Sequence, residues 1–103
     1  MPTFLVERYV PSAGSAQPAA IAGAAHAAQA AEAAAGRAGD SPGPIRYLAV
    51  TLVPGDELCY CLFEAPSVEA VRRAHELAQI SCERIVEAFH VTAQTPGNEG
   101  STP

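Results

Sequence analysis

The chain has 103 residues, six of them arginine and none lysine, and its eleven acidic residues give a formal net charge of −5. This length predicts a single domain, and the scattered arginines do not form the basic patch that nucleic acids and anionic membranes require. The first residues lack the basic and apolar regions of a signal peptide, so the three cysteines are expected to be free thiols in the cytoplasm.

The first half of the chain predicts a strand, a helix and a second strand. Residues 3–10 are rich in Val, Tyr and Phe, and Pro11 ends this strand. Residues 17–37 are mostly alanine, the residue with the highest helix propensity, and therefore predict a long helix. A Pro/Gly loop at 40–44 separates this helix from a second strand at 45–53.

The second half predicts a hairpin, a second helix and a last strand. Pro54 and Gly55 form the turn that leads into a third strand at 58–64. Ser67 has the residue type and position of an N-cap for the second helix. Residues 82–91 predict the fourth strand, and residues 92–103 predict a disordered tail with little to bury.

The order βαββαβ predicts an α+β, ferredoxin-like domain over residues 1–91. In this fold an antiparallel sheet of strand order 4-1-3-2 carries two helices on one face. We call the opposite face the open face. Strict alternation along the strands assigns seven large side chains to it, namely Leu5, Tyr9, Tyr47, Tyr60, Leu62, Ile85 and Phe89. So much apolar surface favours a homodimer packed through the open face.

The same alternation places three carboxylates, Glu7, Glu64 and Glu87, on the open face. Carboxylates beside an interface require a proton, an arginine or a cation, so they either hold a metal, act as acid and base, or lie at the wet rim of the interface. His75, next to Glu76 at the edge of the second helix, is a further candidate metal ligand, although a single histidine there is also compatible with a structural role.

The cysteines and the motif content do not indicate catalysis. Cys59 and Cys61 are two residues apart on the helix-facing side of the third strand, which predicts buried core thiols. The sequence contains no H-x-x-x-H pair, phosphate-binding loop or dinucleotide fingerprint. We therefore predict no catalytic residue.

Several stretches resemble a known family. They are Phe-Leu-Val-Glu-Arg at 4–8, Arg-Tyr-Leu at 46–48, Cys-Leu-Phe-Glu-Ala-Pro at 61–66, Glu-Ala-Val-Arg at 69–72 and Ile-Val-Glu-Ala at 85–88. Over residues 3–91 the chain resembles a family of short bacterial proteins of unknown function whose best-described member binds nickel. The resemblance implies a ferredoxin-like homodimer that binds nickel or another divalent ion, for sequestration or sensing. It implies a histidine ligand in the second helix, where this chain has His75. Because divalent nickel also accepts carboxylates, the predicted site combines His75 with one or two of Glu7, Glu64 and Glu76.

Two other functions are compatible with the sequence. The chain is also consistent with a dimeric α+β-barrel enzyme or small-molecule binder, in which Tyr47, Tyr60 and Glu87 line a cavity and a glutamate acts as acid or base. A small regulatory or interaction module is the third possibility, since this fold is often used in that way.

Overall fold

The computed structural model describes residues 1–11, 17–37, 43–89 and 91. The elements are β1 (Thr3–Tyr9), α1 (Gln17–Arg37), β2 (Arg46–Val53), β3 (Leu58–Glu64), α2 (Val68–Leu77) and β4 (Arg84–Ala88). The predicted order βαββαβ is confirmed, and β4 is shorter than the predicted 82–91. The predicted tail, 92–103, lies outside the described residues.

The four strands form one antiparallel sheet in the order β2-β3-β1-β4, as predicted. Its buried face carries the largest fully buried side chains of the strands, Phe63 and Val6, and both helices pack on that face. The cover from α1 is a row of alanines, Ala20, Ala24, Ala28, Ala31 and Ala35, spaced three or four residues apart. Because alanine is short, α1 lies close to the sheet. Among the described residues, no helix has the length and apolar character needed to cross a membrane.

The β2 strand contains a bulge that was not predicted from the sequence. Tyr47 is paired with Phe63, yet Ala49 is paired with the adjacent Leu62, so Leu48 is an extra residue. The bulge turns Tyr47 onto the helix side, where its ring lies 6.2 Å from the Phe63 ring. The prediction that Tyr47 lies on the open face was therefore wrong. Strict alternation does not hold across a bulge.

The β4 strand presents the opposite face from the one predicted. Its register places Val86 opposite Leu5 on the open face and Ile85 opposite Val6 on the helix side. Glu87, two residues beyond Ile85, is on the helix side as well, so the prediction of Ile85 and Glu87 on the open face was wrong. Alternation in a short strand separates two sets of residues, but it does not show which set faces the core.

Candidate functional site

The open face has an apolar centre and charged positions towards its ends. No described helix covers it. Tyr60 and Leu5 lie near its centre and are half-buried. The register assigns to this face Thr3, Leu5, Glu7, Tyr9, Arg46, Ala49, Thr51, Val53, Leu58, Tyr60, Leu62, Glu64, Arg84, Val86 and Ala88.

A depression of about 220 Å3 lies at the centre of the open face. It is smaller than typical small-molecule sites, which measure about 300–1,000 Å3. Tyr60 lines it, whereas Tyr47 and Glu87, the two other residues predicted to line a cavity, lie on the opposite side of the sheet. Its lining consists of Leu5, Ala49, Thr51, Tyr60, Leu62, Ala88 and Phe89.

Two of the predicted ligands, Glu7 and Glu64, lie on the open face, each in an ion pair. Glu7 accepts a hydrogen bond of 2.8 Å from Arg84 Nε, and Glu64 lies 3.3 Å from Arg46 Nη1. Thr3 is the cross-strand partner of Glu64, so Glu7 is four residues farther along the sheet, about 13 Å away. Within one subunit the two carboxylates therefore do not meet at one ion.

His75 lies on the other side of the sheet, inside the core. It is only 3% exposed, and its ring packs edge-on against Phe63 with the centroids 5.3 Å apart. Its Nδ1 lies 2.8 Å from the carbonyl oxygen of Val71. Since a carbonyl only accepts, Nδ1 carries the proton and Nε2 has the free lone pair. Burial lowers the pKa of His75, and the positive charge of Arg8 lowers it further, so the ring is neutral at neutral pH.

The four predicted ligands do not form one cluster in the subunit. Glu76 is exposed on α2 and lies 3.5 Å from Arg73, away from the core position of His75. Across the described part of the chain, no group of three or more His, Cys, Asp or Glu side chains is arranged to hold a metal ion. An ion with four to six ligands would therefore need groups from a second subunit, or water.

Arg8, which was not among the predicted site residues, lies on the helix side of the sheet opposite Cys59. Cys59 and Cys61 are free and buried, as predicted. A hydrogen bond from Cys61 lowers the pKa of Cys59 to about 7, and the charge of Arg8 acts in the same direction against the effect of burial. The same hydrogen bond, together with burial, raises the pKa of Cys61. The signal for Arg8 was its place in the core-facing alternation after Phe4 and Val6.

Comparisons with known proteins agree with this fold. A family model described as nickel responsive protein SCO4226-like matches residues 4–88. The crystal structure of SCO4226 from Streptomyces coelicolor A3(2) is similar, with a TM-score of 0.54 and 26% sequence identity, covering 87% of this chain and 99% of that one. No curated protein matches. Because the family model spans most of the chain, the protein belongs to the SCO4226-like family of nickel responsive proteins.

Proposed function

We propose that this chain is a non-enzymatic nickel-binding protein that acts as a homodimer, in sequestration or sensing of the ion. The observation that carries the proposal is the match of residues 4–88 to a family described as nickel responsive. Two properties of the open face, its apolar centre and its carboxylates, support the dimer and the ion site respectively.

The apolar centre of the open face supports the homodimer. Leu5, Tyr60 and Val86 are only half-buried in the single subunit, and Leu5 and Tyr60 line the central depression. A second sheet packed on this face would remove these side chains from water, at roughly 25 cal/mol for each Å2 of apolar surface buried. A two-fold dimer uses the same surface on both subunits and closes it completely.

The carboxylates of the open face are the first ligands to consider. Divalent nickel accepts carboxylate, imidazole and water ligands. Glu7 and Glu64 lie too far apart to share an ion within one subunit, so an interfacial ion would take carboxylates from both copies and complete its shell with water. Arg84 and Arg46 would release their partners as the ion binds. His75 and Glu76 belong to α2 on the other side of the sheet, so they are not ligands of such an interfacial site.

Calorimetric titration of tag-free protein with nickel chloride tests the proposal, together with light scattering for the mass. We expect saturable nickel binding by a particle of twice the 10.6 kDa chain mass. Glu7→Gln and Glu64→Gln should weaken nickel binding. Glu69→Gln, which removes an exposed carboxylate paired with Arg72 on α2, is the matched control and should bind as the wild type does. If titration of the wild type with nickel gives no heat of binding, the nickel-binding proposal is refuted. If light scattering gives the mass of a monomer, the homodimer proposal is refuted.

The central depression supports a second candidate function, the binding of a small organic molecule. In the proposed dimer, two depressions of about 220 Å3 would contribute to one enclosed space beside Tyr60. Ala49→Leu would fill the depression without adding charge. A compound that raises the melting temperature of the wild type but not of Ala49→Leu would favour this function over nickel binding alone.

A further inference from the structure

A second cavity, separate from the open face, lies between the end of β1 and the first turns of α1. Its volume is about 320 Å3, which falls within the range of small-molecule sites. Most of its wall consists of small apolar side chains, and Arg8 supplies the charge. The lining residues are Arg8, Tyr9, Val10, Pro11, Ala19, Ala20, Gly23 and Ala24.

Arg8 forms no ion pair with a carboxylate in the described part of the chain. Its Nε and Nη1 atoms are buried there without a hydrogen-bond partner. Four other arginines each form an ion pair with a glutamate, namely Arg46, Arg72, Arg73 and Arg84. The chain has eleven acidic residues for six arginines, so carboxylates are not scarce. Two buried donors without partners are unfavourable, and an anion bound at the remaining edge of the guanidinium would offset its charge.

Among the described residues, no carboxylate acts as a counter-charge to Arg8. Its charge acts on the thiols of Cys59, Cys61 and Cys82 and on the imidazole of His75. The Cys61 thiol interacts with the Arg8 guanidinium as a weak hydrogen-bond acceptor, and Cys59, with a pKa of about 7, is only partly a thiolate at neutral pH. His75 is already engaged with Val71. Within the described residues, therefore, only the two sulfur atoms of Cys59 and Cys61 compete with an external carboxylate for the guanidinium.

We propose that this cavity binds the carboxylate of a small organic acid, with Arg8 as the counter-charge and the α1 wall around the hydrocarbon part. Guanidinium and carboxylate groups form strong, charge-assisted hydrogen bonds. One cation against a wall of alanine and glycine favours a ligand with one negative charge and a compact apolar body. This site does not depend on nickel binding.

Hexanoate and benzoate are suitable probes, titrated into the full chain with thermal unfolding as the readout. Both should raise the melting temperature of the wild type in a concentration-dependent manner, because they bind the folded state only. Arg8→Gln should weaken binding at least about tenfold, since a charged hydrogen bond is lost. Hexanol, which lacks the charge, and inorganic phosphate, which lacks the apolar body, should both bind more weakly than hexanoate.

Two glycines of α1 provide a matched pair of variants. A side chain added at either Gly23 or Gly36 meets no atom within 4 Å, but only Gly23 lines the cavity. Both leucine substitutions favour the helix. Gly23→Leu should abolish hexanoate binding, and Gly36→Leu should bind as the wild type does. The proposal is overturned if hexanoate does not stabilise the wild type, if Gly23→Leu and Arg8→Gln still bind it normally, or if hexanol or phosphate binds equally well.

Discussion

Replacing Arg8 by methionine should stabilise the ligand-free protein. Arg8 lies on the helix side of the sheet, and its Nε and Nη1 atoms are buried without a partner among the described residues. Methionine retains an unbranched apolar stem that adapts to irregular space in a core. The substitution therefore removes two unsatisfied donors and a buried charge while keeping most of the packing.

The expected gain follows from the two donors. Each unsatisfied buried donor costs about 1–3 kcal/mol. Two effects reduce this gain. Arg8 as a whole is only half-buried, and its charge stabilises the Cys59 thiolate, a favourable interaction that the methionine variant loses. We expect a net stabilisation of about 1–2 kcal/mol. For a domain of this size that corresponds to a rise in melting temperature of about 4–16 °C.

Circular dichroism of thermal and urea unfolding measures this effect, on protein refolded from denaturant so that no bound acid is carried over. All variants are compared at one protein concentration, because a dimer makes stability concentration-dependent. Arg84→Met is the control, since Arg84 is an exposed partner of Glu7 on the same sheet and its loss should cost at most about 1 kcal/mol. An Arg8→Met melting temperature equal to or below that of the wild type would refute the reasoning.

Three further predictions concern single contacts. Glu32 accepts a hydrogen bond from the backbone N–H of Tyr47 at the bulge. In urea unfolding, Glu32→Ala should lower the free energy of unfolding by about 1.5–3 kcal/mol, whereas Glu32→Gln, which keeps an acceptor oxygen, should retain most of the wild-type stability. Ser67 caps α2, and Ser67→Ala should cost about 1 kcal/mol, which Ser67→Asp should restore. Burial lowers the pKa of His75 in the folded state, so the unfolded chain binds protons more readily. The contribution of neutral His75 to the free energy of unfolding is then fully present above about pH 6.5, the ordinary pKa of histidine, and is lost on acidification. His75→Leu should lose less stability than the wild type between pH 7.5 and 5, and parallel losses would contradict this assignment.

Much of the fold was predictable from the sequence because its signals are local. The helix over 17–37 follows from alanine content, and the N-cap at Ser67 from a residue type that bonds the first free N–H groups of a helix. The family resemblance at the Cys61–Pro66 junction was likewise a property of the sequence, and the family match confirms it. Glu7 and Glu64 were correctly assigned to the open face, since β1 and β3 follow strict alternation.

The tertiary structure alone decided which groups share a site. The sequence by itself determined the order of elements, their approximate bounds and the family, since these depend on composition and on periods of two or 3.6 residues. It did not determine the bulge that turns Tyr47, the face of β4 that carries Glu87, or the burial of His75. Those features depend on long-range register and on which set of side chains fits beneath the helices. Arg8 shows the same limit, because the lack of a carboxylate partner among the described residues becomes evident only when the surrounding thiols, helix and strand are in place.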